Sequence, residues 1–187
     1  MKSDTTSKAI ICDLDGTLCD HRHRLHHIAD SRKKDYDAFY AAMDKDTPNK
    51  WCEAIICSLY DGQWGEVIIL YVTGRPNKYR NITEIWLSEN NIVKFGGKSG
   101  QDEQHSLFMR PDYLYPWNGQ VDMWNSPFMA HPERKPDHRP AYEVKREIYE
   151  QKIKNKYEVL FCLEDDPECV KIYRDLGLIC LDVGRTQ

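Results

Sequence analysis

The sequence predicts an α/β fold in which a parallel sheet carries helices on both faces. Two observations support this prediction. Four short runs consist mostly of Val, Ile, Leu and Cys, which is the composition of central strands that are buried on both faces. Between these runs, apolar residues recur with the spacing of amphipathic helices. The four predicted strands are residues 9–12, 67–72, 159–163 and 178–183.

The helices are predicted from this spacing and from signals at their ends. The last helix has the clearest ends, because Asp166 is suited to cap its start and a proline occupies its first position. Gly177 then provides a stop signal. The predicted helices are residues 50–59, 78–90, 142–157 and 167–176.

Length and composition indicate a single domain over residues 1–187. The chain is 41% hydrophobic, which is enough for a sizeable core, and its net charge of −4 argues against a broadly basic surface for nucleic acid. Residues 1–8 show no signal peptide, and no apolar run approaches the roughly 20 residues of a membrane span. The seven cysteines are odd in number and include no C-x-x-C pair, so we expect reduced thiols in a cytoplasmic protein that does not bind membranes.

Polar residues follow three of the predicted strands. Asp13 and Asp15 follow the first strand, Thr73-Gly74-Arg75 ends the second, and residues 164–166 follow the third. Ligands of such sheets bind outside the carboxyl ends of the strands, so we expect these groups to share one cleft.

The D-x-D pair and the carboxylates after the third strand indicate phosphoryl chemistry. Asp13 can serve as a nucleophile, and Gly16 lets the chain turn so that Asp15 faces the same cleft. Carboxylate oxygens from two strands suit Mg²⁺, which would neutralise the charge of a phosphoryl group.

Two stretches fall outside the alternation of strands and helices. Residues 19–63 are expected to form a small cap-type insertion with a cluster of four histidines. His23 and His27 are four residues apart, but no further ligand completes a zinc pattern, so a basic segment that faces substrate through Arg22 and Arg24 is favoured.

The second stretch, residues 96–140, is predicted to be a long loop insertion. Its Trp117 and Trp124 either anchor the loop to the body of the protein or stack on a base, and the first interpretation is favoured.

Four motifs resemble those of the haloacid dehalogenase-like phosphatase superfamily. They occur in order along residues 9–183 and stand beside the predicted strand ends. The resemblance implies a Rossmann-like three-layer sandwich with a central parallel sheet and a small helical cap. The motifs are "DLDGT" (13–17), "VTGR" (72–75), "EVKREIY" (143–149) and "EDDPE" (164–168).

The resemblance also implies a role for individual residues. Asp13 would be the nucleophile and Asp15 the general acid and base. Thr73 would hydrogen-bond the phosphoryl oxygens, and Lys145 would neutralise charge. Asp165 would bind Mg²⁺ together with Asp13 and the backbone carbonyl of Asp15.

The acidic cluster "EDD" leaves the metal ligands open. Asp166 is therefore included as a candidate ligand beside Asp165, and Glu164 remains a further alternative.

Within this superfamily, the chain is most similar to the 3′-phosphatase domains of phage polynucleotide kinase–phosphatases. The similarity rests on "TGR", "KYRNITEIWL", "EVKREIYE" and "CVKIYRDLGL". It implies that Arg75, Gly74 and Arg24 bind the substrate phosphate. Ala141 is a departure, because that family carries an active-site aspartate four residues before the lysine.

The kinase half of such enzymes is not predicted here. A phosphate-binding loop needs G-x-x-x-x-G-K-[ST]. The sequence "GGKS" at 96–99 supplies the end of this pattern, but Ile92 stands where the first glycine is required. We therefore expect a phosphatase domain that stands alone.

The sequence as a whole predicts a Mg²⁺-dependent phosphomonoesterase with a phosphoaspartate intermediate. The preferred substrate is a 3′-phosphate on a nucleotide or a nucleic-acid end. A 5′-nucleotidase or another small-metabolite phosphatase is the alternative, and a catalytically silent module that binds nucleic acid or protein is the alternative of another class. The oligomeric state is left open.

Overall fold

The computed structural model of the chain describes residues 6–60, 67–92, 105–114 and 135–184. Strands and helices alternate along most of this length. The strands, in chain order, are β1 (Ser7–Cys12), β2 (Cys19–Asp20), β3 (Thr47–Pro48), β4 (Val67–Pro76), β5 (His105–Arg110), β6 (Tyr113–Leu114), β7 (Lys135–Pro136), β8 (Tyr157–Glu164) and β9 (Cys180–Asp182).

The α-helices are α1 (Tyr36–Ala41), α2 (Lys50–Tyr60), α3 (Arg80–Glu89), α4 (Ala141–Ile148) and α5 (Pro167–Asp175). Short 3₁₀ turns accompany them at Arg22–His27, Met43–Lys45 and Asn77–Tyr79. A π-helical turn at Tyr149–Ile153 follows α4 directly, so the predicted helix 142–157 changes geometry partway along.

Five strands form one parallel sheet in the order β5-β4-β1-β8-β9. β1 therefore lies at the centre, and its neighbours β4 and β8 are the strands that end in polar residues. Because all five strands run in the same direction, their carboxyl ends meet at one edge of the sheet. The remaining strands form two-residue antiparallel pairs, β2 with β3 and β6 with β7.

A hydrophobic core covers each face of the sheet. Successive residues of β1 point to opposite faces, so that Ile10 belongs to one core and Ile11 to the other. Trp86 of α3 packs into the first core, whereas Val144 of α4 and Tyr173 of α5 pack into the second. This arrangement confirms the predicted three-layer α/β sandwich with a central parallel sheet.

Strand β5 corrects the prediction that residues 96–140 form one long loop. It pairs with β4 at the edge of the sheet, from Ile69↔His105 to Pro76↔Arg110. Its sequence, HSLFMR, begins and ends with polar residues, so it lacks the long apolar run by which the central strands were recognised. Residues 96–104 and 115–134, which include Trp117, Trp124 and the "GGKS" segment, lie outside the described residues.

The first insertion, residues 19–63, is described up to residue 60. It contains β2, α1, β3 and α2. Helix α2 packs into the main core through Cys52 and Ile56, both fully buried, so it is a layer of the sandwich rather than an appendage. The seven cysteines all lie within the described residues and form no disulfide. No helix in the described parts of the chain has the length and apolar character needed to cross a membrane.

Candidate active site

Asp13 lies at the carboxyl end of the central strand and is contacted by a buried lysine. Lys145 of α4 donates from Nζ to Asp13 Oδ1 at 2.7 Å and to Glu164 Oε2 at 2.6 Å. Asp13 is only 4% exposed and Lys145 only 3% exposed. One ammonium therefore joins two carboxylates from adjacent strands, and the group keeps an excess of negative charge.

Burial acts on the ionisation of all three groups. It raises the pKa of Asp13 and raises that of Glu164 to about 8, although the ammonium of Lys145 opposes both shifts. For Lys145 itself, burial acts to lower the pKa, but the charges of Asp13 and Glu164 outweigh it and raise the pKa well above its ordinary value. The site therefore favours the addition of a positive charge.

Asp165 completes an acidic cluster beside Asp13. Oxygen atoms of Asp13, Glu164 and Asp165 lie within 4.8 Å of one another. Burial and the charge of Asp13 raise the pKa of Asp165 to about 7, and Thr17 Oγ1 donates a hydrogen bond to Asp165 Oδ1 at 3.0 Å. Closely spaced carboxylate oxygens with excess negative charge fit a hard divalent cation such as Mg²⁺.

The turn after β1 allows Asp165 to approach so closely. Gly16 has a φ of +97°, and a Cβ atom at this position would lie 2.0 Å from Asp165 Oδ2. Only glycine therefore combines this backbone conformation with this contact.

Asp166 caps a helix and does not join the acidic cluster. Its Oδ1 accepts hydrogen bonds from the backbone N–H groups of Glu168 at 2.9 Å and Cys169 at 3.4 Å, which makes it the N-cap of α5. Of the two aspartates predicted as metal ligands after β8, Asp165 belongs to the acidic cluster and Asp166 lies outside it.

Asp15 is held by two arginines. Arg75 donates from Nε to both carboxylate oxygens of Asp15 at 3.1 Å and from Nη2 to Oδ1 at 2.5 Å. Arg24 donates from Nη2 to the same Oδ1 at 2.5 Å. Although burial acts to raise the pKa of Asp15, the charges of Arg75 and Arg24 outweigh it and hold this pKa far below its usual range. Asp15 is therefore an ionised carboxylate in this arrangement.

Asp46 binds the same two arginines from the other side. It accepts from Arg24 Nε and Nη2, both at 2.7 Å, and from Arg75 Nη2 at 3.0 Å. The indole N–H of Trp86 donates to the backbone carbonyl of Asp46 at 2.7 Å, which ties this loop to α3. Two buried guanidiniums thus face two carboxylates, and their charges balance.

This balance disfavours a metal ion at a second group of ligand atoms. Asp15, Cys19 and Asp46 also offer atoms within 4.8 Å of one another. The guanidiniums of Arg24 and Arg75 already contact both carboxylates, so a further cation would meet positive charge there.

Arg24 and Arg75 were expected to contact a substrate phosphate. Both side chains are fully buried and are used within the protein, where they hold Asp15. Thr73 is also fully buried, and its Oγ1 accepts from the backbone N–H of Arg75 at 3.2 Å. The carbonyl of Gly74 accepts from Arg110 Nε at 2.8 Å, which attaches the end of β4 to that of β5.

The histidine cluster does not form a metal centre within the described residues. The candidate metal-binding groups found there contain no histidine. His23 Nε2 instead lies 2.9 Å from Asp46 Oδ1 and joins the arginine network, and the rings of His26 and His27 are in contact, with centroids 3.9 Å apart and planes tilted by 39°.

Sequence reasoning missed Asp46 and Arg110. Asp46 lies in a polar stretch with no motif around it, and its partners Arg24 and Arg75 are distant in sequence. Arg110 ends a strand that was itself not predicted. Neither residue carries a local signal, because each is defined by contacts that only the fold creates.

A comparison with protein families finds one match. The family described as "Polynucleotide kinase PNKP phosphatase domain" matches residues 91–187, which is just over half of the chain. A comparison with curated proteins finds no match.

Solved structures share the fold over nearly the whole chain. A chain of the Pnkp1/Rnl/Hen1 RNA repair complex is 23% identical, with a TM-score of 0.67 over 100% of this chain and 45% of that one. A second structure of the Pnkp1/Rnl/Hen1 complex gives 25% identity and a TM-score of 0.66, over 99% of this chain and 48% of that one. A haloacid dehalogenase-like hydrolase from Streptococcus pneumoniae is 11% identical, with a TM-score of 0.51 over 95% of this chain and 84% of that one. The present chain spans about half the length of the first two proteins.

Proposed function

The chain belongs to the family of polynucleotide kinase PNKP phosphatase domains and is a phosphatase, and on this premise we propose that it hydrolyses a 3′-phosphate on a nucleotide or a nucleic-acid end. The reaction depends on Mg²⁺ and proceeds through a phosphoaspartate on Asp13. The observation that carries the proposal is the contact of Asp13 with Lys145 beside the carboxylate of Asp165.

In the first step, a carboxylate oxygen of Asp13 attacks phosphorus, and the bond from phosphorus to the ester oxygen of the substrate breaks. Lys145 supports this step, because its buried ammonium offsets the negative charge of the neighbouring carboxylates, which would otherwise repel an incoming phosphate. Thr73 and the backbone around Gly74, at the end of β4, provide polar groups for the phosphoryl oxygens.

Asp15 donates a proton in the first step and accepts one in the second. The leaving ester oxygen takes a proton from Asp15, and in the second step Asp15 accepts a proton from the water that attacks phosphorus and releases Asp13. Arg24 and Arg75 favour the carboxylate form, which suits the second step. The negative charge of an approaching phosphate raises the pKa of Asp15 and thereby favours the protonated form that the first step needs.

The side chains of Asp13 and Asp165 would hold Mg²⁺. Glu164, the third member of the acidic cluster, is paired to Lys145. When bound, Mg²⁺ supplies electrostatic stabilisation of the phosphoryl oxygens. The fit rests on the donor set, which consists of hard carboxylate oxygens with excess negative charge.

The family supports a nucleic-acid substrate, as does the fact that a structural relative is part of an RNA repair complex. The position of the phosphate, at the 3′ end, rests on the resemblance to 3′-phosphatase domains.

The test compares one oligonucleotide carrying either a 3′-phosphate or a 5′-phosphate with a panel of nucleoside monophosphates and an aryl phosphate. We expect hydrolysis of the 3′-phosphate in Mg²⁺ and none in excess chelator. Cleavage of the monophosphates alone would replace the polynucleotide assignment with a nucleotidase, and full activity in chelator would refute the metal requirement.

The nucleophile is tested by Asp13→Asn, with the exposed Asp30→Asn as the matched control. We expect the wild type and the control to trap radioactive phosphate on the protein after acid quenching, and Asp13→Asn to trap none and to hydrolyse no substrate. Unchanged turnover of the aryl phosphate by Asp13→Asn would refute this role.

A further inference from the structure

Three tyrosines form a continuous aromatic cluster on the surface beside the arginine network, and we call them the tyrosine surface. The rings of Tyr36 and Tyr40 stack with centroids 6.3 Å apart and an interplanar angle of 24°. The rings of Tyr40 and Tyr79 are 5.3 Å apart and tilted by 36°. Tyr36 is 48% exposed, and Tyr40 and Tyr79 are partly exposed.

The tyrosine surface is connected to the surroundings of Asp15 through the two segments that carry Tyr40 and Tyr79. Phe39, next to Tyr40 in α1, lies beneath the guanidinium of Arg24, whose Cζ is 4.2 Å from the ring centroid. Tyr79 follows Arg75 by four residues, in the 3₁₀ turn directly after β4. Both arginines bind Asp15, so the three rings begin close to the point where the substrate phosphate must bind.

The ionisation of Tyr40 agrees with this position. Burial raises its pKa to about 12, and the charge of Asp15 acts in the same direction, whereas Arg110 and Arg75 oppose it. The hydroxyl of Tyr40 therefore lies within electrostatic reach of residues from β4, β5 and the D-x-D turn.

Hydrogen bonds hold the tyrosine surface in place before any ligand arrives. Asp37 Oδ1 accepts from Tyr79 Oη at 2.9 Å and from Lys78 Nζ at 2.7 Å. This pairing fastens α1 to the turn that carries Tyr79. Rings that are already ordered lose little entropy when a flat ligand stacks on them.

Exposed cations lie beside the rings. Arg32, Lys33 and Lys34 are exposed and stand before Asp35, the N-cap of α1. Lys34 Nζ lies 6.0 Å from the centroid of the Tyr36 ring, and Lys78 Nζ lies 4.9 Å from that of Tyr79. Aromatic rings together with nearby cations are the combination that binds bases and backbone phosphates of single-stranded nucleic acid.

We propose that Tyr36, Tyr40 and Tyr79 form a stacking surface for the nucleobases next to the 3′ end of a single-stranded nucleic acid, while Arg32, Lys33 and Lys34 contact its backbone. This inference rests on the proposed function, since it takes the phosphate at Asp13 to be the end of such a strand. Stacking tolerates every base, so the surface selects single strands without selecting a sequence.

The test uses a short single-stranded oligonucleotide with a 3′-phosphate and a matched oligonucleotide that lacks the bases at the two positions next to that end. We expect the wild type to cleave the complete strand with a kcat/KM roughly 5- to 100-fold higher than that of the abasic strand. In Tyr36→Leu and Tyr79→Leu this ratio falls toward one. In Tyr36→Phe, which keeps the ring and leaves the hydrogen bond from Tyr79 to Asp37 intact, it stays high. Thermal unfolding checks that each variant folds.

A binding measurement separates the two proposals. Asp13→Asn is titrated with the same strands carrying a fluorescent purine analogue, whose emission is quenched by stacking. Quenching and base-dependent affinity without any cleavage by the wild type would keep the stacking surface and refute the 3′-phosphatase. Equal cleavage of the complete and abasic strands would refute the stacking surface and keep the 3′-phosphatase. Loss of the preference in Tyr36→Phe as well would also refute stacking.

Discussion

Arg75 holds Asp15 through both of its carboxylate oxygens, with Nε 3.1 Å from each. The second aspartate of the D-x-D pair is therefore fixed in orientation and charge by a side chain from the neighbouring strand. A forked contact of this kind needs the planar guanidinium of arginine, which lysine cannot replace.

Replacing Arg75 with lysine tests the role of this contact. In Arg75→Lys we expect kcat to fall on the order of tenfold or more, because Asp15 is no longer oriented for proton transfer. The pKa of Asp15 rises when the forked contact is lost. The second step needs the carboxylate form of Asp15, so the acidic limb of the kcat profile moves to higher pH. The matched control is Arg80→Lys, which alters an arginine paired with Glu84 on α3. A pH profile that coincides with that of the wild type would contradict this role of Arg75.

Asp46 is expected to stabilise the fold through both arginines. Asp46→Asn leaves Arg24 and Arg75 with one carboxylate between them, and breaking a buried ion pair costs about 3–5 kcal/mol. Urea unfolding measures this loss, and Asp44→Asn, at an exposed position two residues earlier, should change stability by less than about 0.5 kcal/mol. Equal stabilities of the two variants would show that the arginine network does not depend on Asp46.

The two aspartates after β8 are expected to differ in Mg²⁺ binding. Asp165→Asn should abolish the rise in melting temperature that Mg²⁺ produces, because it removes a carboxylate of the acidic cluster. Asp166→Asn should retain this rise, since asparagine also caps helices and Asp166 lies outside the cluster. If Asp166→Asn lost the response and Asp165→Asn kept it, the assignment of ligands would be reversed.

The rise in melting temperature that Mg²⁺ produces is also expected to depend on pH. Without a metal ion, the pKa of Asp165 is about 7, so protons compete with Mg²⁺ for this carboxylate below that pH. The wild type should therefore show a larger Mg²⁺-induced rise in melting temperature at pH 8 than at pH 6. A response that grew as the pH fell would contradict the predicted ionisation.

Alanine substitutions at two glycines with positive φ distinguish the effect of backbone strain from the effect of displacing a residue of the site. A Cβ at Gly177 (φ +82°) meets nothing within 4 Å, so Gly177→Ala should cost about 1–2 kcal/mol of stability and leave hydrolysis intact. Gly16→Ala carries similar strain and in addition displaces Asp165, so hydrolysis and the response to Mg²⁺ should both be lost. An active Gly16→Ala enzyme would show that the close approach of Asp165 is dispensable.

The sequence predicted the central part of the sheet well. Residues 9–12 of β1 and most of β4 are buried on both faces, and β8 is buried in its last three residues. The continuous apolar runs of these strands are a strong signal. β5 was not predicted, since an edge strand has one neighbour and tolerates polar residues at both ends, as in HSLFMR.

The candidate site was predictable only where its residues lie in the four sequence motifs, either after a strand end or, for Lys145, in α4. Asp13, Lys145 and Asp165 lie in motifs, and the structure brings them into one cluster. The contacts of Asp15 with Arg24 and Arg75, and of both arginines with Asp46, could not be predicted, because they join side chains that are far apart in sequence. The role of Asp166 was ambiguous for another reason, since an aspartate after a strand and before a helix suits both a metal ligand and an N-cap.

The two arginines that hold Asp15 come from different parts of the fold. Arg24 belongs to the inserted segment and Arg75 to the sheet, so both ion pairs of Asp15 are present only when the insertion is folded onto the sheet. A local opening of the insertion would leave Asp13 and Lys145 in place and loosen Asp15. In the proposed mechanism, such an opening would slow the release of phosphate from Asp13 more than its capture, and the protein would accumulate in its phosphorylated form.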